Sequence, residues 1–124
     1  MSTMYERVGG RDWFEALVER FYEGVEDDPV LRPLYPPNLE GPRKHLTEFL
    51  VQYWGGPPEY SAKRGHPRLR MRHVGFSIGW KERDAWFDLM SEAVKAGGLK
   101  PEDCREMLDY FNTSATFLIN RQDA

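Results

Sequence analysis

Apolar side chains in this chain return every third or fourth residue and nowhere in strict alternation, a regularity that admits helices and leaves little room for a sheet. Over residues 10–25, Trp13, Phe14, Leu17, Val18, Phe21, Tyr22 and Val25 share one helical face. Asp27, Asp28 and Pro29 stop that helix, and Asp28 is placed to cap a short turn through Leu31 and Leu34. After an irregular corner at residues 35–38, a second helix opens at Gly41, with Pro42 near its first turn. It aligns Leu46, Phe49, Leu50, Tyr53 and Trp54 before Gly55, Gly56, Pro57 and Pro58 end it. An irregular stretch to Pro67 and a short helix over residues 67–73 follow. The next helix spans about residues 80–95, with Trp86, Phe87, Met90 and Val94 inward, and Gly97 and Gly98 terminate it. Pro101 suits the first turn of the last helix, whose apolar face is Cys104, Met107, Leu108, Phe111, Ala115, Leu118 and Ile119. The expectation is an all-α fold with four substantial helices and two weak ones.

A chain of 124 residues is expected to form one domain, residues 1–124, with a single modest core. Aromatic residues make up 14% of it, so its rings either pack tightly or face a flat apolar ligand. One cysteine, Cys104, excludes an internal disulfide, a cysteine-only zinc site and an iron–sulfur cluster, and there is no Cys-x-x-Cys-His for covalent haem. A net charge of −3 favours neither nucleic acid nor an anionic membrane. No apolar run approaches a bilayer span, and the first residues lack the pattern of a signal peptide, so a cytoplasmic protein is expected.

Residues 63–73 hold Lys63, Arg64, Arg68, Arg70 and Arg72 with no acidic residue. They read as a nucleic-acid contact, a solvated basic face, or a clamp for a small anion, to which the planar fork of arginine is suited. No basic stripe runs through the rest of the chain, which places nucleic acid last. The three histidines, His45, His66 and His73, include no i, i+4 pair and no Glu-x-x-His, so a multi-histidine metal site is poorly supported. A haem needs only one imidazole, apolar walls and cations for its propionates. His73, which follows the arginines and precedes Val74 and Phe76, meets those conditions on paper. By spacing alone the ordinary surface or capping histidine is the preferred reading.

Several separated segments carry a resemblance to a known family. They are Val8-Gly9-Gly10, Arg20-Phe21-Tyr22, Pro33-Leu34-Tyr35-Pro36, Gln52-Tyr53-Trp54-Gly55-Gly56-Pro57, the run from Gly65 to His73, and Arg83-Asp84-Ala85-Trp86. On these the whole chain resembles the group II truncated haemoglobins, shortened globins that fold as a two-over-two helical sandwich around haem. The resemblance implies a non-covalent haem b, an iron protoporphyrin, with His73 as the proximal iron ligand. It implies a distal ligand pocket formed by Tyr22, Tyr35 and Trp86. Leu46 would lie over the distal face, with Leu34, Phe49 and Leu50 in the pocket wall, and Leu69 and Phe76 would line the proximal side. Arg72 and Tyr60 would reach propionates. His45 falls near the haem edge, and His66 is left to a capping or surface role. One departure stands out: Pro42, which has no side-chain donor, occupies the position where ordinary globins carry the distal histidine.

The chemistry implied is binding of dioxygen and other diatomic ligands, with slow release because the phenol and indole donors hold the charge that develops on the ligand. Slow release suits redox work, oxidation of nitric oxide or reduction of peroxide, better than it suits oxygen transport. Turnover would need a separate reductase, because no flavin or nicotinamide domain is attached. An oxygen carrier or sensor without turnover is the alternative, and a haem-free helical interaction module docking an acidic partner is a third reading. Monomer and homodimer are both left open, and neither nucleic acid nor membrane is expected as a partner.

Overall fold

The structure, a computed structural model, describes residues 2–121. It is helical, with no strand among the described residues. The seven helices are α1 (Met4–Val8), α2 (Arg11–Asp27), α3 (Glu40–Tyr53), α4 (Glu59–Arg64), α5 (Leu69–Arg72), α6 (Trp80–Lys95) and α7 (Pro101–Phe117), with one 3-10 turn at Arg32–Leu34. α2 packs on α3, α6 packs on α7, and contact between α2 and α6 joins the two pairs, giving a two-over-two sandwich.

The local chemistry explains most of the boundaries. Asp28 Oδ1 accepts from the amides of Val30 and Leu31, both at 2.9 Å, which closes α2 and launches the 3-10 turn as expected. Pro101 heads α7, where its missing amide proton costs nothing. At the other end of α6, Gly98 takes a positive φ of 71°. Phe14, Leu17, Val18, Phe21, Tyr22 and Val25 of α2 are buried together with Met90 and Val94 of α6 and Met107 and Phe111 of α7. The side chain of Trp13 stays half-buried, and its indole donates to the carbonyl of Gly97 at 2.8 Å, tying α2 to the far end of α6.

Two helices depart from the sequence expectation. α1 was not anticipated: five residues are too few for a periodic signal, but Thr3 and Glu6 form a reciprocal capping box that holds them. The segment before His66, expected to be irregular, contains α4. Its fold is imposed from outside. Gln52 on α3 accepts from the Ser61 amide at 2.8 Å and donates to the Ser61 hydroxyl at 2.7 Å, and Lys63 meets the buried carboxylate of Glu48 at 2.6 Å. The short helix before His73 is four residues long and starts after Arg68, which adopts left-handed φ 44° and ψ 52°.

Candidate haem site

A cavity of about 410 Å³ opens between the helix pairs. Tyr22 enters it from α2, Leu34 and Tyr35 from the turn and corner, and Leu46, Phe49 and Leu50 from α3. Tyr60 and Arg64 come from α4, Leu69 and Arg72 from α5, His73 and Phe76 from the loop beyond, and Trp86 from α6. All the residues expected at the site therefore face one space. Val74 does not: it is 75% exposed and lies outside the lining. Pro42 and His45 also line the cavity, as do Tyr110 and Ser114 of α7 and Arg83 of α6. Periodicity assigned the inward face of α7 to its aliphatic residues and Phe111, and gave no sign that Tyr110 and Ser114 would turn toward a ligand.

The polar groups at one side of the cavity form a single network. Tyr22 and Tyr35 meet edge to face with centroids 5.5 Å apart, and Trp86 packs between Phe21 at 5.3 Å and Phe111 at 5.7 Å. The Tyr35 hydroxyl interacts with both the Trp86 indole and the Tyr22 hydroxyl. Burial dominates its acidity and pushes Tyr35 up to about 12, against the opposing pull of those two groups. Tyr22 is shifted up further, first by burial and then by Tyr35. Both phenols thus remain protonated at any physiological pH, with hydroxyl protons that can be donated.

The three histidines are in different states. His45 Nε2 lies 3.0 Å from Arg64, and a guanidinium can only donate, so that nitrogen is an acceptor already in use. Burial and then Arg64 lower the pKa of His45, which keeps it neutral. His66 is exposed, and its Nδ1 accepts from the Arg68 amide at 3.1 Å, a local turn role. His73 Nδ1 lies 2.6 Å from the carbonyl of Leu69. A carbonyl can only accept, so the proton is on Nδ1 and the Nε2 lone pair is left for a metal.

The cavity's charged border is equally specific. Arg72 donates to the carbonyls of Pro67 at 2.7 Å and Arg64 at 2.8 Å, and its guanidinium lies 5.6 Å from the buried ring of Tyr60. Neither Arg64 nor Arg72 forms an ion pair with a carboxylate among the described residues. An apolar slot with one uncommitted imidazole nitrogen and two cations lacking counter-charges fits a dianionic porphyrin.

An imidazole-bearing slot between two helix pairs defines the class, a haem-binding globin. The model of the bacterial-like globin family matches residues 3–120. The group 2 truncated hemoglobin YjbI of Bacillus subtilis is 36% identical over 123 residues, covering 99% of this chain and 92% of that relative. The crystal structure of the hemoglobin from Chloroflexus aurantiacus is similar at 46% identity and a TM-score of 0.95, covering 98% of this chain and 100% of that one. The truncated oxygen-avid haemoglobin of Bacillus subtilis gives 35% identity and a TM-score of 0.91, covering 96% and 100%. The chain belongs to the group II truncated haemoglobins, and haem-based ligand binding follows from that membership.

Proposed function

We propose that the chain, acting as one domain, binds haem b without covalent attachment, with His73 Nε2 on the iron and Arg72, Arg64 and Tyr60 at the propionates. The observation that supports this is the contrast between the two cavity histidines: the lone pair of His45 is taken by Arg64, whereas His73 directs its proton to the Leu69 carbonyl and keeps the Nε2 lone pair free. Haem supplies reversible binding of diatomic ligands and the electrons they accept. Tyr35 donates to the ligand, and Trp86 and Tyr22 strengthen that donor by hydrogen-bonding to its oxygen. Pro42 adds a wall without a competing donor.

A fixed phenol donor in a largely apolar cavity makes dioxygen leave slowly. The oxygen-avid relative agrees with that expectation. Slow release suits oxidation of nitric oxide to nitrate, in which dioxygen and one electron are consumed for each nitrate formed, or the reduction of peroxide to water. The electrons come from a separate reductase. Residues 61–81, which border the cavity, carry six cations and no carboxylate, a charge matched to an acidic donor protein. An oxygen carrier or sensor would use the same donors without turnover.

Absorption spectra and rapid mixing test this reading. The purified protein is expected to show a strong Soret band and slow oxygen dissociation, and to convert nitric oxide to stoichiometric nitrate when mixed in the oxygenated form. A colourless but cooperatively folded protein would reject haem binding. Haem binding with fast oxygen release and no nitrate would reject the redox role.

A further inference from the structure

α5 is too short to hold itself, and the loop that carries His73 is tied down from a distant part of the chain. Asn120, just beyond α7, reaches it with both ends of its side chain. Nδ2 donates to the carbonyl of His73 at 3.2 Å and to that of Phe76 at 2.8 Å, and Oδ1 accepts from the amide of Ile78 at 2.9 Å. Two acceptors and one donor fix which way the amide points. The backbone extends the contact: the amides of Asn120 and Arg121 donate to the Ile78 carbonyl at 2.9 and 3.1 Å. Arg121 also donates to the Ser77 hydroxyl at 2.9 Å and pairs with Glu82 at 2.8 Å, and Glu82 accepts from the Gly79 amide. The loop between His73 and α6 is therefore bonded to these two residues at His73, Phe76, Ser77 and Ile78, and through Glu82 at Gly79.

We propose that Asn120 is a positioning residue for His73: it fixes the carbonyl of the histidine itself and so sets how the imidazole approaches the iron. The inference rests on the reading of His73 as the iron ligand. Leu69 orients the ring by accepting from Nδ1, whereas Asn120 fixes the peptide from which the ring projects. The strap converts a loop with exposed apolar residues, Val74 and Phe76 among them, into a seat of defined height.

The test uses the haem-loaded protein and the iron–histidine stretching band of its ferrous, ligand-free form, together with haem loss to excess apomyoglobin and the melting temperature. Asn120→Ala removes all three side-chain bonds. Asn120→Asp keeps the acceptor for Ile78 but turns an oxygen toward the two carbonyls. Both are expected to shift or broaden the band and to speed haem loss by about tenfold or more, as loss of a partner that orients a metal ligand typically does. The carbonyl-stretching band of the carbon monoxide complex, which reads the Tyr35 side, should stay where it is. In a His73→Gly protein reconstituted with free imidazole, the ligand is no longer joined to the backbone, and Asn120→Ala should leave the band unmoved. A lower melting temperature with an unchanged band in both variants would overturn the proposal, as would a shift that persists with free imidazole. Persistence of the native band in His73→Gly without imidazole would instead reject the ligand assignment.

Discussion

The donor network around Tyr35 makes a sharper prediction than the loss of any one residue. If Trp86 acts on the ligand through Tyr35, the two side chains are energetically one unit. Tyr35→Phe deletes the hydroxyl that faces the ligand, and a hydrogen bond to a charge-bearing acceptor is worth about 1.5–3 kcal/mol. Oxygen dissociation should then accelerate by roughly 10- to 150-fold, at about 1.4 kcal/mol per tenfold. Trp86→Phe removes one donor to the Tyr35 oxygen, a neutral bond worth about 0.5–1.5 kcal/mol, and should speed release by roughly 2- to 10-fold. With Tyr35 already replaced by Phe, Trp86→Phe should add almost nothing, because its target oxygen is gone. Removal of indole volume beside Phe21 and Phe111 also loosens packing, but that effect occurs in both backgrounds and cancels in the cycle. Stopped-flow displacement of dioxygen by carbon monoxide gives all four rates. Equal effects of Trp86→Phe in the two backgrounds would leave no coupling between the two side chains and would refute the network.

Other consequences can be checked separately. His73→Ala should abolish the normal Soret band, since the lone-pair nitrogens of His45 and His66 already accept from Arg64 and Arg68, and added imidazole should restore it to the Gly variant. Tyr35, raised to about 12 from 10.0, and Tyr22, raised further, are more strongly protonated when folded. Their contribution to stability is complete below pH 10 and is lost as pH rises through their folded values, so chemical-denaturation midpoints should stay level with respect to these groups up to pH 10 and fall above it. Gly55→Ala places a methyl 2.6 Å from Thr3 Cβ on a backbone with φ of 104° and should cost about 2 kcal/mol, seen as a melting temperature several degrees lower. Reduction of the ferric protein by an acidic flavodoxin should slow steeply with added salt, and Arg68→Glu with Arg70→Glu should slow it at low salt; a rate indifferent to both would remove the docking role of residues 61–81.

The long helices and their inward faces were legible because burial repeats along α2, α6 and α7 with the helix period. α4 was not, since what forms it is the side chain of Gln52, nine positions away and silent in any local pattern. The site was legible by a different route. Spacing alone left His73 a lone histidine, and only the combined motif segments pointed to it. What distinguishes it physically, the acceptance of its Nδ1 proton by Leu69 while Arg64 occupies His45, depends on bonds that exist only after folding. The meeting of Tyr22, Tyr35 and Trp86 in one cavity was hidden for the same reason: each ring belongs to a separate element, and composition names rings without showing which of them meet. Asn120 carried no signal at all, a polar residue past the last apolar position of its helix.

The two sides of the cavity differ in what holds them, and that difference governs how their functions can be altered. Tyr22 and Trp86 stand on helices of 17 and 16 residues whose buried faces, which include these two rings, form the core, so both rings are held in place before any haem arrives. His73 follows a four-residue helix, shorter than can persist alone, in a segment where Met71, Val74 and Phe76 are exposed. Its position comes from side chains reaching across, Arg72 to the carbonyls of Arg64 and Pro67 and Asn120 to the loop. Such a segment is among the first to open locally, and a group that binds only its closed form stabilises it. Haem capture therefore draws on the adaptable side and ligand discrimination on the rigid one. Substitutions at Tyr35 or Trp86 should change release rates while haem stays bound, and substitutions at Arg72 or Asn120 should loosen haem while leaving the donors where they are.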